Sequence, residues 1–368
     1  KFFSANSFSY CINCAAYTAV DKAESEQELS YQINAQATGN LAAMCKAFSA
    51  RFIHFSTDYV FNGLGTAPYK ESDKTDPVNV YGASKLKGEA FAMLNNNDTM
   101  IFRTSWVYSS YGKNFVKTML RLMSEKESIG VVSDQVGSPT YAADLAMVIF
   151  EFIGKLEQVE YGIYHFSNTG VTSWCGFATK IMELYGLTCK VNPIATSQYP
   201  TPAQRPKYSV LNCNKTIQTL NISIPHWETA LTQCIQLLKQ QEMLEQIDVK
   251  KIIAIAEAAG KEIMNIYDTD DFAVTDKSDN SPLTKADKAG NAVIVAALKE
   301  TYPNIPIISE ENKMIEYADR KDWNYFWLVD PLDGTKEFIK KNGEFTVNIA
   351  LIRDGKPVLG VVGIPAKN

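Results

Sequence analysis

The sequence S-T-D-Y-V-F at residues 56–61, followed by Y-G-A-S-K at residues 81–85, decides the fold of the first half of this chain. A short apolar run of strand length, residues 51–55, stands directly before the first of these motifs. Thr57 is therefore expected just past the carboxyl end of a strand. In an open α/β sheet that edge is where ligands bind.

Tyr81 and Lys85 are four residues apart at the start of a helical pattern over residues 80–94, so both side chains are expected on one helix face. An ammonium beside a phenol favours the phenolate and lowers a pKa that starts near ~10. The phenol can then exchange a proton with a sugar hydroxyl or carbonyl near neutral pH, while Thr57 holds the same oxygen by a hydrogen bond. Although Y-x-x-x-K alone also occurs by chance in helices, this combination predicts a carbonyl-reducing site with Thr57, Tyr81 and Lys85 as catalytic residues.

The composition indicates an ordinary soluble globular protein, because 46% of the 368 residues are hydrophobic and 21% are charged. This length exceeds one typical domain, so two domains are expected. The net charge of −5 argues against a nucleic-acid-binding or anionic-membrane surface. No apolar run approaches the ~20 residues of a membrane helix. Seven scattered cysteines favour reduced thiols, and hence a cytoplasmic location.

Strand and helix patterns alternate along the first half, which predicts an α/β fold with a parallel, doubly wound, Rossmann-like sheet and a small substrate subdomain. The predicted strands are residues 11–16, 51–55, 99–103 and 163–167, and the predicted helices are residues 26–48, 80–94, 114–126, 141–156, 174–185 and 226–240. Residues 193–206 are expected to form a loop. In the helix over residues 26–48, we expect four side chains to face the core: Ile33, Ala37, Leu41 and Met44.

Six motifs in one order give the first half a resemblance to a known family. They are N-C-A-A-Y-T-A-V-D-K-A-E at 13–24, the two motifs already quoted, R-T-S-W-V-Y at 103–108, D-Q-V-G-S-P-T at 134–140 and R-P at 205–206. The chain resembles the extended short-chain dehydrogenases/reductases and, within them, the dTDP-4-dehydrorhamnose reductases. The resemblance implies hydride transfer from NADPH or NADH to the C4 carbonyl of dTDP-4-dehydro-L-rhamnose, with Tyr81 donating the proton.

The same resemblance assigns binding roles to further residues. On the cofactor side these are Cys14, Ala15, Ala16 and Tyr17, together with Tyr81 and Lys85. On the nucleotide-sugar side they are Trp106, Gln135 and Arg205, and for Trp106 a plain core role is an equal alternative.

The chain departs from this family at its beginning. A dinucleotide-binding fold starts with a strand, a glycine-rich turn and a helix that holds the pyrophosphate, and residues 1–60 contain no such turn. We therefore expect the Rossmann-like sheet to be incomplete, without its first βα units and without the residues that choose between NADH and NADPH. Lys1 stands where a start methionine would be, so the chain is interpreted as an internal portion of a fusion. Because the phosphate-binding turn and a metal ligand of the second domain are both missing, weak or no turnover is expected.

The pattern changes near residue 243, which predicts one domain over residues 1–242 and a second over residues 243–368. In the second domain helical patterns come first and strand patterns follow, as in a partial α+β fold. The predicted helices are residues 249–267 and 285–302, and the predicted strands are residues 305–308, 326–329, 346–352 and 357–364. The dipeptide Asp354-Gly355 predicts a hairpin between the last two strands.

Acidic residues follow two strands of the second domain. They belong to S-E-E at 309–311 and to D-P-L-D-G-T-K-E-F at 330–338. Carboxylates at neighbouring strand ends repel one another unless a cation lies between them, and hard oxygen ligands suit Mg²⁺. Gly334 and Thr335 lie at a predicted helix start, where backbone N–H groups can bind a phosphate.

With L-T-K-A-D at 283–287, these motifs resemble the inositol-monophosphatase superfamily, and K-E-F at 336–338 resembles its 3′(2′),5′-bisphosphate nucleotidase branch. The resemblance implies Mg²⁺ binding by Glu310, Asp330, the Leu332 carbonyl and Asp333, a further ion at Asp287, and a catalytic Thr335 that orients the attacking water. The implied substrate is adenosine 3′,5′-bisphosphate. The family's later W-D motif and nucleoside-binding half are expected beyond residue 368.

Two alternatives stay open for this chain. One is a catalytically impaired fragment that only binds nucleotide sugar or Mg²⁺, and the other is a nucleotide-sugar epimerase joined to an inositol phosphatase. The expected partners are small molecules, namely a dTDP-sugar and a bisphosphate nucleotide, rather than nucleic acid or membrane. A homodimer is also left open.

Overall fold

The computed structural model describes residues 3, 6, 8–155, 159–269, 275–276 and 282–367. The chain divides into two compact units, Lys1–Glu242 and Met243–Asn368. Within the described residues, no helix combines the length and the apolar character that a membrane crossing requires.

The first unit is built on a parallel four-stranded sheet of order β1-β2-β3-β8, as the alternation of patterns predicts. Its strands are β1 (Tyr10–Asn13), β2 (Arg51–Thr57), β3 (Thr99–Thr104) and β8 (Gly162–His165). The shorter strands of this unit are β4 (Val107–Tyr108), β5 (Ser128–Val132), β6 (Val136–Gly137), β7 (Thr140–Tyr141), β9 (Thr172–Ser173) and β10 (Lys190–Ile194). Because β2 and β3 run in parallel, Thr57 pairs with Thr104 at their shared carboxyl edge.

Helices cover this sheet and build the adjoining subdomain. They are α1 (Val20–Ala23), α2 (Gln27–Tyr31), a π-helical segment (Gln32–Ala37), α3 (Thr38–Ala47), α4 (Val80–Asn95), α5 (Phe115–Glu125), α6 (Ala142–Lys155), α7 (Trp174–Tyr185), α8 (Asn214–Leu220) and α9 (Trp227–Glu245). Short 3₁₀ turns lie at Asp58–Val60 and Thr196–Gln198. The second of these turns and the end of β10 lie within the segment predicted as a loop over residues 193–206.

The first predicted strand is shorter than expected. It ends at Asn13, so Cys14, Ala15 and Ala16 follow the strand and do not belong to it. Ile12 is 40% exposed and Cys14 is exposed, so the chain meets solvent where this strand ends.

The long helix predicted over residues 26–48 is interrupted by the π-helical segment Gln32–Ala37. The extra residue in that turn rotates the following face, so the predicted inward positions are wrong for Ala37 and Met44, which are exposed. The residues that are buried are instead small or polar: Asn34, Ala35, Thr38, Gly39, Ala42 and Cys45.

Helix α4 is fixed to the sheet by a buried ion pair. Arg103 of β3 donates from Nε and Nη2 to the two carboxylate oxygens of Glu89, at 2.9 and 2.6 Å. The Ser56 hydroxyl donates to the same carboxylate. At its start, the Asn79 side chain caps the helix by accepting from the Gly82 N–H at 2.7 Å. These contacts set where the first two turns of α4 lie above the carboxyl end of β2.

The subdomain has its own core, formed where α5, α7 and α9 pack against the parallel pair β5–β10. The largest buried side chains in this core are aromatic: Tyr108, Tyr141, Phe177 and Trp227. This core is separate from the core around the parallel sheet, which agrees with a small substrate subdomain beside an α/β sheet.

The second unit combines two packed helices with a mixed four-stranded sheet of order β13-β14-β15-β16. Its helices are α10 (Val249–Tyr267), α11 (Lys285–Thr301), α12 (Tyr317–Arg320) and α13 (Thr335–Ile339), with a 3₁₀ turn at Pro365–Lys367. Its strands are β11 (Thr275–Asp276), β12 (Pro282–Leu283), β13 (Ile307–Ser309), β14 (Tyr325–Asp333), β15 (Thr346–Arg353) and β16 (Lys356–Gly363). The predicted hairpin is confirmed, because β15 and β16 pair antiparallel around Asp354 and Gly355, both with positive φ.

Candidate active sites and family membership

Thr57 and Tyr81 meet at the carboxyl end of β2. The Thr57 hydroxyl donates to Asp58 Oδ1 at 3.0 Å and accepts from the Tyr59 N–H at 3.2 Å, and it lies close enough to the Tyr81 phenol to act on the pKa of that group. Thr57 is buried and Tyr81 is half-buried, so the pair lies at the edge of the protein interior. This places two of the three predicted catalytic residues beside each other.

The expected lowering of the Tyr81 pKa is not found. Burial raises the pKa of Tyr81 to about 12, the Thr57 hydrogen bond works against that rise, and the nearby Asp58 carboxylate adds to it. The reason is that the free energy lost when the phenolate is removed from water is larger than the stabilisation that the neighbouring hydrogen-bond donor provides. Tyr81 is therefore a phenol at neutral pH.

Lys85 lies on the same helix as Tyr81, but its amine points towards β2. Lys85 Nζ donates to the Phe55 carbonyl at 2.6 Å and lies 3.3 Å from His54 Nε2. Burial lowers the pKa of Lys85 to about 8. The four-residue spacing correctly predicts a shared helix face, whereas the predicted contact between ammonium and phenol is replaced by contacts to the strand.

Asp58 is a buried carboxyl group next to this pair. Its Oδ1 accepts from the Thr57 hydroxyl at 3.0 Å, and its Oδ2 is buried without a hydrogen-bond partner among the described residues. Burial raises the pKa of Asp58 to about 7, although hydrogen bonds from Ser209 and Thr57 oppose the shift. The protonation state of Asp58 therefore changes near neutral pH, and the strength of its hydrogen bond with Thr57 changes with it.

Two of the predicted substrate-side residues line one cavity of about 620 Å³ in the first unit, namely Gln135 and Arg205. Gln135 is buried and donates to the Thr196 hydroxyl at 3.1 Å. Arg205 donates from both terminal nitrogens to the Asp21 carboxylate, at 2.7 Å each, which lowers the pKa of Asp21.

Trp106 stacks on Trp174, with ring centroids 3.6 Å apart and an interplanar angle of 11°. Trp174 lines the same cavity. A Cβ at Gly137 would lie 2.7 Å from the Trp106 ring, so only glycine leaves room for this stack. Trp106 is half-buried and has a φ of 48°, a backbone conformation that is uncommon for a bulky residue.

The predicted cofactor-side segment follows β1 at the carboxyl edge of the sheet. Cys14 and Ala15 are exposed, and Ala16 and Tyr17 are half-buried. The Tyr17 N–H donates to Asn34 Oδ1 at 2.8 Å, which fixes the path of the segment against the π-helical turn.

In the second unit, Asp330 has the Glu310 and Asp333 carboxylates as neighbours. Burial, followed by these two charges, raises the pKa of Asp330 to about 7. The Asp330 side chain accepts from the Leu332 N–H at 3.2 Å, and Asp333 accepts from Asn348 at 3.2 Å. Carboxylate oxygens are the type of ligand that a hard divalent cation prefers.

Asp287, Thr335 and the Leu332 carbonyl form a second group in this unit. The Thr335 hydroxyl lies 3.2 Å from both Asp287 Oδ1 and the Leu332 carbonyl oxygen. Asp287 is buried and also accepts from the Thr284 N–H and hydroxyl. Gly334, with φ 95°, leads into the short helix α13. Over the ranges that the structure describes, no three acidic, histidine or cysteine side chains are gathered closely enough to hold a metal ion.

Three residues at the first site are absent from the sequence-based prediction: His54, Asp58 and Asp21. The first two have a sequence signal, because His54 interrupts an apolar strand three residues before Thr57 and Asp58 follows Thr57 directly. Asp21 belongs to the motif at residues 13–24, but its pairing with Arg205, 184 residues away, has no local signal.

Comparison with known proteins identifies both halves. Residues 1–240 match the RmlD substrate binding domain, and residues 243–368 match the inositol monophosphatase family. The spore coat polysaccharide biosynthesis protein SpsK of Bacillus subtilis is 45% identical over 225 residues, which cover 61% of this chain and 78% of that protein. The dTDP-4-dehydrorhamnose reductase of Escherichia coli is 42% identical over 235 residues, covering 62% of this chain and 79% of the enzyme.

Solved structures agree with this assignment. A dTDP-4-dehydrorhamnose reductase from Clostridium acetobutylicum matches with a TM-score of 0.62 and 41% identity, covering 65% of this chain and 84% of that one. The Bacillus anthracis enzyme, in complex with NADP, matches with a TM-score of 0.59 and 45% identity, covering 61% and 79%. The UDP-glucuronic acid 4-epimerase of Bacillus cereus, at 18% identity and a TM-score of 0.55, covers 62% and 75% and shows the shared fold alone. The chain therefore belongs to the RmlD substrate binding domain family, and its residues 243–368 match the inositol monophosphatase family.

Proposed function

We propose that the first unit, residues 1–242, reduces the C4 carbonyl of dTDP-4-dehydro-L-rhamnose to give dTDP-L-rhamnose. The observation that carries this proposal is the placement of Thr57 beside Tyr81 at the carboxyl edge of the sheet, in a chain that is 42% identical over 235 residues to a reductase of that name. The NADP complex of the Bacillus anthracis relative supports NADPH or NADH as the cofactor. When bound, the dihydronicotinamide supplies the hydride.

The protonation state of Tyr81 suits reduction. With its pKa raised to about 12, Tyr81 carries the proton that the carbonyl oxygen needs as that oxygen becomes an alcohol. Thr57 lies beside the phenol and would bind the same carbonyl oxygen. Because Thr57 is buried, its hydrogen bonds lie in a surrounding of low dielectric constant, which strengthens them.

The nucleotide-sugar side of the site is assigned to the cavity lined by Gln135, Trp174 and Arg205. The aromatic stack of Trp106 on Trp174 supplies an apolar wall. A diphosphate entering the cavity would compete with Asp21 for the Arg205 guanidinium, because planar bidentate pairing suits either anion.

A single substitution tests the proposed reduction. Tyr81→Phe removes the proton donor, so the rate of NADPH oxidation with dTDP-4-dehydro-L-rhamnose should fall at least ~100-fold while sugar binding persists. Tyr108→Phe is the matched control, since Tyr108 is a buried tyrosine whose hydroxyl has no hydrogen-bond partner among the described residues. Unchanged turnover in Tyr81→Phe would remove Tyr81 from the mechanism.

For the second unit, residues 243–368, we propose a Mg²⁺-dependent phosphatase acting on 3′(2′),5′-bisphosphate nucleotides. Glu310, Asp330, the Leu332 carbonyl and Asp333 would hold the metal, which activates a water and neutralises the leaving phosphate. Asp287 would take a further ion, and Thr335, which contacts both Asp287 and the Leu332 carbonyl, would orient the water. The phosphate would lie against Gly334 and Thr335.

The substrate of this phosphatase is tested by comparing two compounds. Phosphate release from adenosine 3′,5′-bisphosphate should require Mg²⁺ and exceed release from inositol 1-phosphate at the same concentration. Faster release from the inositol phosphate would place the second unit in the inositol phosphatase branch instead.

A further inference from the structure

Asn79 stands immediately before helix α4, and its buried amide group makes two hydrogen bonds. Its Oδ1 accepts from the Gly82 N–H at 2.7 Å, which caps the helix. Its Nδ2 donates to the Gln204 carbonyl oxygen at 2.7 Å, a partner 125 residues away in sequence. Because a cap needs only the side-chain oxygen, capping does not account for the second hydrogen bond.

The second hydrogen bond reaches the part of the chain that carries Arg205. Gln204 belongs to residues 203–206, the Arg205 segment, and Arg205 lines the cavity that the proposed function assigns to the nucleotide sugar. The partner of Asn79 is a backbone carbonyl, so the contact does not depend on the Gln204 side chain. One side chain thus contacts both the start of the helix with Tyr81 and the segment with Arg205.

Asp21 also holds the Arg205 segment. Its carboxylate accepts from both terminal nitrogens of Arg205, at 2.7 Å each, and from the Ala203 N–H at 3.2 Å. The Asp21 side chain is 39% exposed, whereas Asn79 is 7% exposed, so a ligand can reach the first contact more easily than the second. A diphosphate that takes the guanidinium from Asp21 would leave the Asn79 hydrogen bond to keep the segment next to α4.

We infer that Asn79 is a positioning residue for the nucleotide sugar, because its amide group fixes Arg205 relative to Tyr81 while the substrate is bound. This role rests on the proposed reductase function, in which Arg205 binds the diphosphate and Tyr81 contacts the C4 carbonyl. The substrate has to span both residues. The hydrogen bond from Asn79 to the Arg205 segment therefore helps to set the distance that it spans.

Other close contacts in this region have a different effect. A Cβ at Gly63, which has a φ of 80°, would lie 2.6 Å from Pro206 Cα, so this contact packs one backbone against another. The Glu24 carboxylate accepts from the Val80 N–H at 2.9 Å, which connects the start of α4 to the chain after α1. Neither contact replaces the hydrogen bond between the start of α4 and the Arg205 segment.

Asn79→Ser separates the two roles of the side chain. Serine is as good a helix cap as asparagine, so the start of α4 should stay in place. The amide that donates to the Gln204 carbonyl is lost. Binding of dTDP to the full chain, measured by titration calorimetry, should weaken roughly 10-fold, the order expected when one hydrogen bond is lost and its partner stays unpaired.

Asn114→Ser is the matched control. Asn114 stands before helix α5, its Oδ1 accepts from the Lys117 N–H at 3.2 Å, and its Nδ2 donates to the Ser109 carbonyl at 2.7 Å. Since that carbonyl is only five residues away, this variant should bind dTDP as tightly as the unmodified chain. Unchanged dTDP affinity in Asn79→Ser, or an equal loss in both variants, would overturn the inference.

Steady-state kinetics distinguish positioning from general damage to the fold. In Asn79→Ser the KM for dTDP-4-dehydro-L-rhamnose should rise about as much as the dTDP dissociation constant, while kcat is retained, as expected when binding is lost equally in the ground state and the transition state. A lower kcat with an unchanged KM would overturn the inference. Asn79→Asp also keeps a capping oxygen and lacks the amide, and failure of both variants to fold would show that Asn79 serves the fold alone.

These readouts separate the inference from the proposed function. If Asn79→Ser weakens dTDP binding but the full chain does not reduce the dTDP-sugar, the proposed function fails and the role of Asn79 stands. If the chain reduces the sugar and Asn79→Ser binds dTDP as tightly as the unmodified chain, the role of Asn79 fails and the function stands. Absence of dTDP binding in the unmodified chain would overturn both.

Discussion

Asp58 shows how one buried carboxyl group couples the stability of the first unit to pH. Burial raises its pKa to about 7, whereas an aspartate in an unfolded chain titrates near ~3.9. The folded state therefore binds the proton more tightly than the unfolded state. The stabilisation that results is fully present below about pH 4 and is lost as the pH rises through about 7.

Asp58→Asn should remove this dependence, because the amide does not titrate. Between about pH 4 and pH 7, the free energy of unfolding of the first unit should fall more steeply in the unmodified chain, by up to ~1.4 kcal/mol per pH unit. Denaturant unfolding at several pH values measures the difference in unfolding free energy between the two proteins. The contributions of the other titrating groups are the same in both and therefore cancel. Parallel curves for the two proteins would mean that Asp58 is already ionised near pH 4.

The Tyr81–Lys85 pair shows which properties of a single residue can be predicted from sequence and which cannot. The spacing correctly predicts one helix face, because helical geometry depends only on local sequence. The predicted lowering of the Tyr81 pKa is wrong. The burial of Tyr81 and the position of the Lys85 amine both depend on β2, which lies about 25 residues earlier in the chain. The contact of Lys85 with His54 spans 31 residues and has no local signal.

At the level of elements, small residues decide how closely α4 approaches the π-helical segment. A Cβ at Gly88 would lie 2.1 Å from the Asn34 carbonyl oxygen, so the backbones are in contact at that point. The same helix carries Tyr81 and Lys85. The close approach of α4 to the π-helical segment therefore also determines where these two side chains lie.

Gly88→Ala should destabilise the first unit by ~1–3 kcal/mol, because the backbone of the π-helical segment must move to make room. Gly154→Ala is the matched control in α6: nothing lies within 4 Å of its added Cβ, so alanine should leave stability unchanged or raise it by up to ~1 kcal/mol. Thermal and denaturant unfolding compare the two. Equal effects would show that the close packing at Gly88 is not maintained in solution.

The elements themselves are largely predictable from sequence. The apolar run at β2 and the Asp354-Gly355 turn both have strong local signals, and both predictions are confirmed. The π-helical segment Gln32–Ala37 has no such signal, because its extra residue is stabilised by tertiary contacts of Asn34 with Tyr17 and Ser84. That single insertion is why the predicted inward face of the long helix is wrong at Ala37 and Met44.

For the whole molecule, the two units each have their own core and their own candidate site. Asp333→Asn should abolish Mg²⁺-dependent phosphate release, because it removes one of the proposed oxygen ligands, and should leave NADPH oxidation unchanged. Conversely, Tyr81→Phe should leave phosphate release unchanged. Loss of both activities in either variant would contradict the assignment of one function to each unit.

The most direct test of the reductase assignment follows the hydride itself. The full chain is mixed with dTDP-4-dehydro-L-rhamnose and NADPH deuterated at the transferred position of the nicotinamide, and the sugar product is analysed by mass spectrometry and NMR. We predict dTDP-L-rhamnose carrying one deuterium at C4 of the sugar, and no such product from Tyr81→Phe. Product without deuterium at C4, or equal labelling by Tyr81→Phe, would contradict reduction at the Thr57–Tyr81 site.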